Sequence, residues 1–249
     1  MEYPYYSMIY KLNKKRVLSL VSEFRPIYMN KQRLPSLSPD VYAVLVDKWD
    51  THYELNQLTD LFTEKIRVKC KFLKNPSPIE YFSAHRTAML RGNPTPFQLR
   101  ERIYREIRLC NNFKISVALA VLQHFRPRTW LDISAGWGDR LLAAIFYDVD
   151  LYFSCDPNKD LHPCYEKMIK TFVPQKKRAH FVLRDTGFEK TKLPNVDFDI
   201  VFSSPPFFDL ETYSSHENNS LVQFPTSNEW YRKFLLKSLK KKRQCFIFE

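Results

Sequence analysis

Trp130-Leu-Asp-Ile-Ser-Ala-Gly-Trp-Gly-Asp-Arg140, answered further on by Phe198-Asp-Ile-Val-Phe-Ser-Ser-Pro-Pro-Phe-Phe208, is the part of this 249-residue chain whose reading decides the fold. An apolar run that ends in Asp132 and passes through two glycines into a helical pattern reads as a buried strand turning sharply into a helix. The chain has four glycines and places two of them, Gly136 and Gly138, in this one turn. Glycine has no Cβ, so such a turn lets the backbone come close to a ligand. It is not the GxGxxG pattern, and alone it says that something binds without saying what.

Working outward, short apolar runs alternate with helical segments. Strands are predicted over Thr129–Ile133, Leu151–Cys155, Ala179–Leu183, Phe198–Ser203 and Gln244–Phe248, and helices over Asp139–Tyr147, Leu161–Phe172 and Asn228–Leu239. That grammar implies right-handed crossovers and a Rossmann-like α/β domain with a parallel sheet. Ligands bind such sheets at the carboxyl ends of the strands. Three of those ends are acidic: Asp132, Asp156 twenty-four residues later, and Asp185. A carboxylate at Asp156 suits the two hydroxyls of a ribose, and one at Asp185 suits an exocyclic amine of adenine. Each could instead cap the helix that follows it.

Upstream, residues 1–112 read as a basic, mostly helical region. Tyr3, Tyr5, Tyr6 and Tyr10 form an arm with a short strand expected around Arg16–Val21; the tyrosines could stack on bases or pack the arm onto the body. From Ser38 to Phe72 the spacing of Val41, Leu45 and Trp49, then of Leu55, Leu58, Leu61, Phe62 and Ile66, is helical. Two Pro-containing breaks, Asn75-Pro-Ser-Pro78 and Asn93-Pro-Thr-Pro96, bound a helix over Ile79–Leu90. A long helical stretch then runs from Phe97 to Phe125 with a break at Asn111-Asn112. It carries Arg100, Arg102, Arg105 and Arg108, which could meet phosphates or pair with neighbouring glutamates.

Charge divides unevenly. Residues 1–128 carry 22 Lys and Arg against 11 Asp and Glu, and residues 129–249 carry 17 against 16. An excess confined to one half points to a polyanionic partner, nucleic acid before a membrane surface. No apolar run is long enough to cross a bilayer and the first residues lack a secretory pattern, so a soluble, intracellular, cytoplasmic protein is expected. The five scattered cysteines have no metal-ligand spacing, and no metal is expected.

The order LDISAGWGDR, CDPN, LRDTGFE and FDIVFSSPPFF resembles the class I S-adenosylmethionine-dependent methyltransferases, over about residues 113–249. The run SSPPFFDLETY looks like the [D/N/S]-P-P-[Y/F/W] motif of enzymes that methylate exocyclic or planar amino nitrogens. Its Ser-Pro-Pro form is most similar to the cytosine-N4 branch, while the cofactor-first motif order is shared with several adenine-N6 enzymes. The combination also resembles uncharacterised methyltransferases of phages and large DNA viruses, which brings DNA methylation into view. The resemblance implies S-adenosylmethionine as cofactor, held by Asp132, Ser134, Ala135, Gly136, Trp137, Gly138, Asp156 and Asp185, with Ser204, Pro205, Pro206 and Phe207 as the catalytic turn.

The chemistry of that turn stands by itself. An aniline-like amino nitrogen is a poor nucleophile because its lone pair is delocalised into the ring. Accepting its two hydrogens, at the Ser204 side chain and the Pro205 carbonyl, pulls it toward sp³ geometry and frees the lone pair. Phe207 would stack on a base taken out of its helix. The family's sheet has seven strands and the pattern here reaches a fifth, at Phe248. The missing edge is therefore expected to come from the N-terminal arm or a protein partner, unless the chain is truncated. A scaffold protein that binds nucleic acid without catalysis and a methyltransferase acting on protein glutamine are the alternatives.

Overall fold

The computed structural model describes residues 2–24, 29–33, 42–46, 53–241 and 246–248. Five parallel strands form the central sheet: β1 (Thr129–Asp132), β2 (Leu151–Cys155), β3 (Phe181–Arg184), β4 (Ile200–Ser203) and β5 (Phe246–Phe248). Their spatial order is β3-β2-β1-β4-β5, that of a Rossmann-like α/β fold. The chain winds from β1 outward to β3, then returns to the other side of β1 for β4 and β5. The direction therefore reverses between β1 and β4, and in open sheets this reversal opens a crevice at the carboxyl ends.

The register places like with like. Trp130 lies opposite Tyr152 and Ile200, and Leu131 opposite Phe153 and Val201. Because side chains alternate across a strand, Trp130, Tyr152 and Phe202 face one layer while Leu131, Phe153 and Val201 face the other. Trp130 stacks on Phe202 at 5.4 Å and donates its indole N–H to the Phe202 carbonyl at 2.8 Å. The helices Ile115–Phe125, Asp139–Tyr147 and His162–Phe172 bury their apolar faces in that same first layer.

The N-terminal region shares this core. Val17, Phe24, Leu55, Leu58, Cys70 and Cys110 pack in one cluster with Trp130, Leu141 and Tyr152. A second cluster gathers Tyr3, Tyr5, Phe82, Met89, Leu99 and Ile103 around the helices Pro78–Met89 and Pro96–Glu106. Both of those helices start as their sequences dictate: Ser77 and Thr95 make reciprocal capping boxes with Glu80 and Gln98, and a proline fills the first helical position.

Several expectations change. Arg16–Val21 is not a strand: it lies in the helix Lys14–Glu23, capped by the Asn13 side chain on the Arg16 N–H at 3.0 Å, with Val17 and Leu20 buried. Leu45 is not helical: Tyr42–Val46 is a strand paired antiparallel with Met29–Arg33, while Ser38, Val41 and Trp49 lie outside the described residues. The arm tyrosines Tyr3, Tyr5 and Tyr6 are buried, so packing wins over an exposed stacking platform. The arm does not extend the central sheet; among the described residues its strands pair only with each other, and β3 and β5 stand at the edges. No helix among the described residues is long and apolar enough to cross a membrane.

Candidate active site

One large cavity, about 1170 Å³, opens at the carboxyl ends of β1, β2 and β4 and is closed from the other side by the N-terminal region. Its volume lies just above the roughly 300–1,000 Å³ of ordinary small-molecule pockets. Ser134, Gly136, Trp137, Asp156 and Ser204 through Phe207 all line it.

Asp132 does not face it. The carboxylate is fully buried and saturated: Oδ1 accepts from the Ser203 hydroxyl at 2.6 Å and the Ser134 N–H at 3.2 Å, and Oδ2 accepts from Tyr152 at 2.8 Å and Arg140 at 2.9 Å. Four donors leave no lone pair for a ligand. Asp132 is a positioning residue that ties β1 to β4 and to the helix starting at Asp139. Gly138 and Ala135 also stay behind the wall. At Gly138, φ is +94°, a conformation that residues with a Cβ rarely adopt, so the backbone demands glycine there; the Cβ of a substitute would also press on the flexible end of Met168 at 2.9 Å. Gly136, at φ +59°, does line the cavity, and a Cβ there would meet only the Arg140 guanidinium, in ordinary contact at 3.7 Å.

Asp156, at the end of β2, is the carboxylate the cavity presents. Its two oxygens accept one backbone N–H each, from Gly136 at 3.0 Å and Asn158 at 2.9 Å, which keeps accepting capacity on both. Burial pushes its pKa up to about 6, against the pull of those two N–H groups. Asp139, the first residue of its helix, is likewise buried and pushed up to about 7 by desolvation, with the Thr59 hydroxyl donating to it.

Asp185 is exposed and is not part of the lining. The acidic side chain that takes its place is Glu189, which is buried and folds its carboxylate into the room that the missing side chain of Gly187 leaves. The signal was present in the sequence: one of four glycines stands two residues before a glutamate, just past the third strand.

The Ser-Pro-Pro-Phe turn follows β4 directly. The Ser134 hydroxyl donates to the Ser204 carbonyl at 2.7 Å, clasping the first strand's loop to the fourth strand's turn. The Ser204 hydroxyl and the Pro205 carbonyl take part in no hydrogen bond among the described residues and stand free on the wall. Phe208 has φ +24°, a conformation costly for a bulky residue. With it the chain turns so that Phe208 packs against Trp230, ring centroids 5.7 Å apart, while Phe207 stays about half exposed.

A cofactor with the chemistry of adenosine fits the donor set. Two side chains that are 95% buried carry polar atoms with no partner among the described residues, Asn158 Nδ2 and Glu189 Oε2, and both residues line the cavity beside Asp156. One orphan donor and one orphan acceptor next to a half-satisfied carboxylate suit a ribose and an amino-bearing ring. No group of His, Cys, Asp and Glu among the described residues could hold a metal.

Comparison with known proteins adds little beyond the fold. No protein-family model matches the chain, and no curated protein matches it. Among solved structures the chain is similar to the crystal structure of a "putative RNA methyltransferase" from Pyrococcus horikoshii, at 16% identity and a TM-score of 0.31. The match covers 60% of each chain, so this protein spans less than two thirds of that one. The fold assignment rests on the strand order.

The N-terminal wall was the part that sequence reasoning missed. Gln57, Arg108 and Asn112 all line the cavity, from a region read as a separate grip. Of the arginines expected to meet phosphates, Arg100 is buried and paired with Glu64 at 3.0 Å and Asp60 at 2.8 Å, and Arg102 donates to the Met89 carbonyl at 2.8 Å. Arg105 and Arg108 remain exposed.

Proposed function

We propose that the protein is an S-adenosylmethionine-dependent methyltransferase acting on an exocyclic amino nitrogen of a nucleic-acid base, cytosine N4 or adenine N6, in DNA or RNA. The observation that carries this reading is the pair of free acceptors, the Ser204 hydroxyl and the Pro205 carbonyl, on one wall with the half-exposed ring of Phe207 and a cavity that also presents Asp156. The bound cofactor would supply an electrophilic methyl group on a sulfonium. Asp156, Asn158 and Glu189 would hold its adenosine, and Gly136 would let its chain pass. Ser204 and Pro205 would accept the two amino hydrogens, and Phe207 would hold the ring so that the nitrogen lone pair faces the methyl group. No strong base is needed, because catalysis here is positioning and fixed dipoles.

Nucleic acid is favoured over a glutamine side chain by charge. Arg67 and Arg100 are buried together with Asp60 and Glu64, so their burial removes equal numbers of both signs and, among the described residues, leaves the N-terminal excess outside the core. The test is transfer from labelled S-adenosylmethionine to mixed DNA and RNA, followed by nucleoside analysis. Label is expected on N4 of cytosine or N6 of adenine; label in no base, with the cofactor bound, would refute the reading. In the same assay Ser204→Ala should lower kcat roughly tenfold to a hundredfold and leave cofactor affinity unchanged.

A further inference from the structure

We infer that Arg108, laid over the ring of Phe72 at the cavity's opening, is the seat of the phosphodiester flanking the target nucleotide, and that Leu73 and Leu210, next to Phe207 on the same ribbon, take a neighbouring base of a single strand. This rests on the base-methylating reading above.

Two short strands build the place. Lys71–Phe72 pairs antiparallel with Glu211–Thr212, Phe72 opposite Glu211. The Leu73 N–H continues the ribbon to the Leu210 carbonyl at 2.7 Å, and the Leu210 N–H closes on the Phe207 carbonyl at 2.9 Å. The ribbon is thus continuous with the Ser-Pro-Pro-Phe turn. Along it, Leu73, Phe207 and Leu210 are each 43–49% exposed, an apolar strip in which single exposed side chains have become neighbours.

Arg108 stands at the end of this strip. Its guanidinium carbon lies 4.1 Å from the centroid of the Phe72 ring, and no carboxylate is within ion-pair distance among the described residues. Arg108 does act electrostatically on Glu211, but that side chain is buried and engaged with Tyr213, and burial raises its pKa. The other cation of the ribbon, Lys71, is already paired with Glu80 at 2.8 Å. Arg108, Phe72, Phe207 and Leu210 all line the cavity, and their exposure puts them where it opens to solvent. A planar cation held flat on a ring keeps its N–H edge free for phosphate oxygens, and apolar and aromatic surfaces beside it receive base faces without reading sequence.

The experiment is fluorescence anisotropy of labelled single-stranded DNA and RNA oligonucleotides of mixed sequence, titrated with the whole protein at several salt concentrations. Cofactor calorimetry on the same samples certifies that each variant is folded. Arg108→Ala should weaken binding about tenfold at low salt and reduce the slope of log affinity against log salt by about 0.7, one phosphate on a single strand. Arg108→Lys should keep the slope and lose part of the affinity. Arg128→Ala removes an equal charge, paired with Asp150, from the amino end of β1, and should change neither. Equal losses in the Arg108 and Arg128 variants, or no loss at Arg108 while the native protein binds the oligonucleotides, would overturn this inference and leave the base-methylating reading standing. If the native protein binds and methylates neither nucleic acid, both fall, and methyl transfer to a glutamine peptide would be the alternative.

Discussion

Asp156 shows how a single buried carboxylate sets conditions for the whole site. Its pKa is pushed up from an ordinary 3.8 to about 6 because the charged form loses hydration inside the wall, and two backbone N–H groups only partly replace it. The folded chain then holds the proton more tightly than the unfolded one. Stability contributed by the protonated group is full below pH 3.8, declines as pH rises through about 6, and is absent above. Ligand binding runs the other way, since hydroxyl donors need the carboxylate. S-adenosylmethionine affinity measured by calorimetry should therefore fall as pH drops below about 6, approaching tenfold per pH unit. Asp156→Asn should remove that dependence and weaken binding by about 2 kcal/mol, since its NH2 would face one of the two backbone N–H donors, at Gly136 or Asn158.

At the scale of elements, the helices Asp60–Arg67 and Pro96–Glu106 are joined by a buried polar cluster in place of apolar contacts. Asp60 accepts from Arg67 at 2.8 Å, from Arg100 at 2.8 Å and from Asn112 at 2.9 Å, and Glu64 accepts from Arg100, from Tyr104 at 2.7 Å and from the Tyr6 N–H. Removing one partner leaves a charge buried and unpaired, so Arg100→Ala should cost about 3–5 kcal/mol in urea unfolding, whereas exposed Arg105→Ala should stay within about 0.5 kcal/mol. That contrast also explains which elements were legible in the sequence. β1, β2 and the helix Asp139–Tyr147 were readable because burial on both faces leaves continuous apolar runs and the turn between them needs glycine. Arg100 and Arg105 look alike in a sequence, since only the tertiary position of Asp60 and Glu64 separates an interior ion pair from a surface charge. The same applies to Arg16–Val21, where two valines and two leucines suit either period and the Asn13 cap decided for a helix. Asp185 and Glu189 were exchanged because both follow β3, and only the course of the loop past Gly187 determines which one turns inward.

For the molecule as a whole, the cavity belongs to both regions. Its floor is the carboxyl edge of the sheet, and its roof is built from residues before 113 that share a core with that sheet. The two regions on either side of residue 112 therefore meet in one hydrophobic interior, beside the cluster around Leu99 and Ile103 that belongs to the N-terminal region alone. On the methyltransferase reading, a cavity roofed in this way would hold the cofactor at the sheet and admit the target from the ribbon side.

The Ser134 hydroxyl crosses the middle of this arrangement, from the loop beside the cofactor wall to the carbonyl of Ser204. Its consequence is thermodynamic. Whatever orders the loop also orders the turn, so the two ligands should favour each other by equal free energies, as linkage requires. The factor by which an oligonucleotide tightens S-adenosylhomocysteine should equal the factor by which S-adenosylhomocysteine tightens the oligonucleotide. In Ser134→Ala both factors should shrink toward one together, with each ligand's separate affinity changed by less than about threefold. On this account the serine's contribution is reciprocity between two occupants rather than strength toward either.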